Sequence, residues 1–440
     1  QYTHIRDICY DLEEQRFEIV RAGREAPSTW LPLRDLFDDY ELFDFTGRLV
    51  GSHGEGARVL VNRARNLHRT FAEFPIVMIP VATDDVQTAI RSFERANTTG
   101  TPMSEVHMVS ALTWSREFDL NAKLREVLDG QEFGWQHLDE KVVLTICKAQ
   151  LDLDLFSRDV DALTDQLERD PGIIDRAGEA LSRATEFLAL HCGVHGLQTL
   201  PYTLQLVLIA DALPRWNHRP SWLRDWFWLM TYVEYFGGSN STQIRKARDL
   251  LNEAIRGEPW ITDPRDLIPN LTSQTAIARV ERFDFRAARS RAIVLRMASL
   301  KPMPEPEILV ALHGRDAVQK IFTKKELSAH LGLSADGHLF FMFGPDLGES
   351  VANRFIADPS LPKSDPGSVH EVRRRIREAR EDDLEFLATH AIDAAAAAIL
   401  RGSASHGSLY RFLSDRRKSI LDLEARFVRD DLGLQYSDDD

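Results

Sequence analysis

The sequence predicts an α+β protein that is predominantly α-helical, and three patterns carry that expectation. Near the N-terminus, apolar residues alternate with polar ones at the two-residue period of strands. From about 115 to 300, amphipathic stretches separated by turns such as RDPG, LPRWNHRPS, GGSNS and EPWITDP leave almost no strand pattern, as in a helical bundle. Beyond about 301, the proline-spaced KPMPEPE reads as a linker into a second mixed region. The expected domains are therefore 1–114, 115–300 and 301–440.

In chain order, Ile8, Tyr10 and Leu12 alternate, as do Phe17 and Ile19, with Glu-Glu-Gln between the runs, so the segment reads as a β-hairpin. TWLPLRDLF is a short strand or turn leading into a helix. GSHGEG, residues 51–56, reads as a flexible loop. Leu60, Ala64, Leu67 and Phe71 then recur at helical spacing between about 58 and 73. IVMIPVA, residues 76–82, is a buried strand that Pro80 makes an edge or terminating one. Asp84 and Gln87 form a capping box for a helix whose apolar stripe is Val86, Ala89, Ile90 and Phe93. In the middle region, Trp222, Trp226, Trp228, Tyr232, Tyr235 and Phe236 fall at three- and four-residue intervals, a core pattern rather than a stacking platform for bases. Farther on, HLFFMF at 338–343 is a strand, and helices are expected over 368–380, 384–401 and about 408–431.

Composition excludes several classes. With 43% apolar and 28% charged residues the chain is an ordinary globular protein. No apolar run reaches the roughly 18–20 residues of a membrane span, so no membrane partner is expected. Cys9, Cys147 and Cys192, odd in number and far apart, argue for a reducing cytoplasm over a disulfide framework. A formal charge of −14 removes any general attraction to nucleic acid and leaves only local basic patches. Those patches are RRRIREAR at 373–380, RKARD at 245–249 and the arginines of RFDFRAARSRAIVLR at 282–296, each read as a solvated helix face. The first residue, Gln1, suggests a chain that begins inside a longer protein or follows processing.

The segment FERANTTGTPMS, residues 93–104, is the sharpest local signal. Gly100 lets the chain leave one helix, Pro102 suits the first turn of the next, and Ser104 is a candidate N-cap ahead of Val106, Val109 and Leu112. Geometry alone accounts for those residues and favours a plain turn. Asn97, Thr98 and Thr99 are left over, and with Gly100, Thr101 and Ser104 they could instead hold a phosphate on helix-terminal amides. The spaced glycines and lysine of a P-loop are absent.

FERANTTGTPMSEVHMVSAL resembles the signature of the ParB/sulfiredoxin-like N-terminal domain of GmrSD-type, modification-dependent restriction endonucleases. Members commonly read Phe-x-x-x-Asn-x-x-Gly-x-x-Leu-Ser here, and Met103 stands where leucine is usual. WFWLMTYVEYFGGSNSTQIRKARDLL resembles part of the family's helical region. The resemblance implies a phosphate- or nucleotide-binding role for Asn97, Thr98, Thr99, Gly100, Thr101 and Ser104, a nucleoside triphosphate with Mg²⁺, and modified or foreign DNA as partner, with a homo-oligomer also open. The family's Asp-Gly-Gln-Gln-Arg motif is expected just before the first hairpin, where this sequence starts.

The same resemblance implies a C-terminal ββα nuclease remnant of the HNH type. DAVQKIFTKKEL, residues 316–327, resembles its strand, with Gln319 and Lys320 where an acid and a histidine base would stand, and with Asn353 and Ser364-Asp365-Pro366 at the later elements. Glutamine does not titrate, and a lysine beside Lys324 and Lys325 is a poor base, so the module reads as degenerate unless His313, His330 or His338 rescues it. Catalytic residues therefore stay unassigned. In HCGVH, His191 and His195 stand four apart with Cys192 between them, but the glycines and Leu-Pro beyond suggest a helix end rather than a metal site. The expected function is a defence protein that couples nucleotide hydrolysis to DNA restriction; the alternative is a non-catalytic DNA sensor or regulator of the same family.

Overall fold

The computed structural model describes residues 8–20, 26–75, 83, 88, 92, 103–115, 118–132, 134–157, 160–216, 219–269, 271–272, 274–280, 282–301, 305–330, 348–402 and 408–437. Among the described residues helix accounts for 63% and strand for 6%, so the α+β, predominantly helical class holds. The chain divides into two compact units, residues 1–84 and 85–440.

In the first unit, β1 (Ile8–Asp11) and β2 (Arg16–Ile19) pair antiparallel, and β3 (Trp30–Pro32) joins the other edge of β1. The hairpin closes because the Asp11 carboxylate accepts from the amides of Glu13 and Glu14 at 2.8 and 3.0 Å, and from the Trp30 indole at 2.9 Å. Two helices follow, α1 (Asp39–His53) and α2 (Ala57–Ala72). Asp38 caps α1 by accepting from the Tyr40 and Glu41 amides. Leu42, Phe45 and Leu49 of α1 meet Leu60 and Ala64 of α2 over Leu12, Leu31 and Leu36. GSHGEG is not a loop throughout: α1 continues to His53, and only Gly54–Gly56 forms the tight joint, with Gly54 at φ 53°.

The second unit opens on α3 (Glu105–Thr113), α4 (Leu120–Asp129), α5 (Glu140–Gln150), α6 (Asp161–Arg169) and α7 (Ile173–Cys192). They continue into α8 (Thr203–Ala212), α9 (Pro220–Tyr232) and α10 (Ser241–Arg256). Helix α8 is apolar almost all round, and Gln205 through Ala212 are all buried. Its polar exceptions are satisfied: Gln205 donates to Phe227 O at 2.8 Å, and Asp211 pairs with Arg215 and Arg248. Trp226, Trp228 and Tyr232 lie in this core, as their spacing predicts.

The chain then forms β4 (Ala276–Ile277), α11 (Ala288–Ala298), α12 (Glu305–His313), β5 (Val318–Lys320) and α13 (Lys324–His330). After these come β6 (Arg354–Ile356), α14 (Val369–Glu378), α15 (Leu384–Ala388), α16 (Ala394–Arg401), α17 (Ser408–Arg426) and β7 (Gln435–Tyr436). The helix expected over 384–401 is broken. Asp393 caps α16, Ala391 turns left-handed at φ 58°, and the His390 carbonyl is drawn to the buried Arg416 guanidinium at 2.9 Å. Strand β7 pairs parallel with β4, and the expected strands at 76–82 and 338–343 lie outside the described residues.

One buried network fastens α17 to α11. Arg289 donates to Glu424 at 3.1 Å and to Ala278 O, stacks on Tyr232, and Tyr436 donates to the other Glu424 oxygen at 2.5 Å. Glu424 is fully buried, so its removal strands a cation in the interior. Glu424→Ala is expected to cost about 3–5 kcal/mol in urea unfolding. Glu424→Leu together with Arg289→Met should recover most of that loss, because no charge is left unpaired.

Candidate functional site

Strands β5 and β6 form an antiparallel hairpin in the register Val318↔Ile356, Gln319↔Phe355 and Lys320↔Arg354. Asn353 fixes it. Its amide oxygen accepts from Phe322 N at 2.9 Å, and its amide nitrogen donates to the carbonyls of Phe322 and Gly348, each at 2.9 Å. The residue is fully buried, and both bonds with Phe322 form away from water, where an unmet partner is costly. Helix α14 then lies against the hairpin: Arg373 donates to Lys320 O at 3.0 Å and Arg377 to Ile321 O at 2.9 Å. This spacing of four places both guanidinium groups on one helix face.

These elements line a cleft of about 1000 Å³. Its walls carry eight cationic side chains, Arg282, Arg286, Arg291, Arg315, Lys320, Arg354, Arg373 and Arg377, against the four acids Asp284, Asp316, Glu326 and Glu349. In a chain of formal charge −14 this is an island of the opposite sign. Three of the four acids are already committed to cations. Glu349 takes Lys320 at 2.5 Å and Arg354 at 3.3 Å, Glu326 takes Arg377 at 2.9 Å, and Asp284 takes Arg286 at 2.9 Å. Burial pushes the Glu349 carboxyl up, but the bond and charge of Lys320, with Arg354, outweigh it and hold the group below its ordinary value. Burial lowers Arg354 and Arg373. Arg282 and Arg315 are exposed and make no hydrogen bond or ion pair among the described residues.

The described lining of the cleft carries no histidine base beside Gln319 and Lys320. Gln319 turns back to donate to Asp316 O at 2.8 Å, and the Lys320 ammonium, bonded to Glu349, has no lone pair to accept a proton. Mg²⁺ prefers carboxylate oxygens, and the glutamates here are spent on cations, so the lining suits an anion instead. Of the three histidines near this strand, His313 lines a separate cavity of about 460 Å³ with Asp358, Val372 and His390, while the His330 side chain and His338 lie outside the described residues.

At the other candidate site, Ser104 is described and Asn97, Thr98, Thr99, Gly100 and Thr101 lie outside the described residues. Ser104 caps α3, its hydroxyl accepting from His107 N at 3.2 Å, and Val106 and Val109 of that helix are buried in the large core. HCGVH is a helix end: α7 stops at Cys192, and Gly193 at φ 67° separates His191 from His195. Some arginines read from sequence as solvated faces are fasteners instead. Arg248 is held by Asp211 and Asp152, Arg375 by Asp383, and Arg289 by Glu424. Sequence reasoning thus saw Arg373 and Arg377, the arginines of 282–296 and Gln319-Lys320 as separate features, but not the cleft that joins them with Arg315 and Arg354. No family model matches the chain, and no curated protein matches it.

Glu307 lies beside Gly193 in the same unit, only 2% exposed, and burial pushes its carboxyl up to about 7. A group raised on folding contributes stability that is complete below its ordinary value of 4.5 and is lost as pH rises through about 7. Melting temperature followed across that window should therefore fall less in Glu307→Gln than in the unaltered chain.

Proposed function

We propose that the arginine-lined cleft holds the phosphate backbone of DNA, and that the chain acts as a recognition or regulatory protein rather than cutting through this module. The observation that carries this reading is the placement of Lys320, Arg354, Arg373 and Arg377 around the hairpin where a nuclease would keep its acid and base. A guanidinium matches a phosphate with two parallel N–H bonds, and a positive cleft in an acidic protein steers an anion to one place. The carbonyl-bound arginines are pre-organised, because Arg373 and Arg377 already have fixed stems. Arg282 and Arg315 supply cations that make no hydrogen bond or ion pair among the described residues. The resemblance to GmrSD-type restriction proteins supports DNA as the anion and leaves a nucleoside triphosphate as the ligand proposed for the Asn97–Ser104 turn.

Phosphate binding has a thermodynamic signature. Each contact releases counterions and steepens the fall of affinity with salt. Because Arg282 and Arg315 are exposed, the double variant Arg282→Ala with Arg315→Ala should keep its fold. In fluorescence anisotropy with a labelled duplex, it is expected to bind about tenfold or more weakly, with a salt dependence less steep by about two. Unchanged affinity and slope would remove the proposal. Mg²⁺- or Mn²⁺-dependent cutting abolished by a change at His313 would return the chain to the restriction-nuclease reading.

A further inference from the structure

Helix α1 has two apolar faces. Leu42, Phe45 and Leu49 face its own core, whereas Tyr40, Phe43 and Val50 are 88%, 79% and 58% exposed. Tyr40, Phe43, Gly47 and Val50 recur at intervals of three and four, so they form one stripe along the helix. Gly47 and Gly51 lie on it, and an added Cβ at either would meet nothing within 4 Å. Aromatic knobs at one end and glycine hollows at the other make a surface that complements itself when turned end for end.

We infer that this face pairs antiparallel with α1 of a second copy of the chain, independently of the DNA reading. A two-fold axis near Phe45 sets Phe43 over the partner's Gly47 and Tyr40 over the partner's Val50, and the reverse on the other side. The flanking charges agree. Asp44 and Arg48, paired within the helix at 3.0 Å and both exposed, fall within a turn of the partner's Arg48 and Asp44. A parallel pairing would instead set Phe43 against Phe43 and leave the two Gly47 residues facing a gap. A single helix pair is small beside the roughly 1,200–2,000 Å² of a stable dimer, so the association is expected in the micromolar range.

The test is analytical ultracentrifugation of the full chain over a concentration series. The unaltered chain should show a reversible monomer–dimer equilibrium. Gly47→Leu fills the hollow, where an added Cβ meets nothing within 4 Å, and Phe43→Ser removes the knob; each should weaken dimerisation at least about tenfold. Asp44→Arg and Arg48→Asp should each weaken self-association, and an equimolar mixture of the two variants should restore a dimer. A chain that stays monomeric throughout, or a dimer indifferent to Gly47→Leu and Phe43→Ser, overturns the inference.

Discussion

A single amide side chain, that of Asn353, holds the C-terminal hairpin in the shape the cleft requires. It satisfies both backbone groups of Phe322 and the carbonyl of Gly348. Just before it, the Ala352 carbonyl is gripped by Arg416, a fully buried cation that also binds His390 O and is pushed down to about 9 by that burial. The hairpin is therefore clamped from both sides. Only then do the Lys320 and Ile321 carbonyls stand where Arg373 and Arg377 can reach them, and only then do those arginines share a wall with Arg354. The charge of the cleft follows from backbone geometry fixed by one buried asparagine.

Cations fall into two groups in this molecule, and burial separates them. Arg289, Arg416 and Arg248 are interior fasteners, with guanidinium groups taken up by carbonyls and carboxylates. Interior positions of this kind favour arginine, which keeps its charge and offers several directed donors. The cleft cations are less fully engaged: Arg373 spends one Nε bond on a carbonyl, and Arg282 and Arg315 spend none on the described residues. Runs of arginine that look alike along the chain thus divide into structure and binding surface only when their partners are known.

Local patterns were legible in the sequence, and long-range convergence was not. The first hairpin, α2, the core aromatics of α9 and the Ser104 cap follow from period, turn chemistry and capping, which act over a few residues. The break near Ala391 was hidden because alanine propensity is local, whereas Arg416 reaches in from α17. Helix in 51–53 was hidden because glycine composition suggests a loop, while burial of Leu49 carries α1 onward. The cleft joins residues 198, 282–291, 315–326, 349–354 and 373–377, a separation no window spans. Its local traces were separate ones: Arg373 and Arg377 one turn apart, the arginines between 282 and 291, and Gln319-Lys320.

The central claim is that DNA phosphate sits beside Gln319, between the β5–β6 hairpin and α14. Replacing Gln319 with a photo-crosslinking residue in the full chain and irradiating it with duplex DNA tests this directly. The cleft proposal predicts a covalent adduct that high salt suppresses and that excess unlabelled duplex competes away. DNA bound at full affinity without any adduct from this position would contradict it.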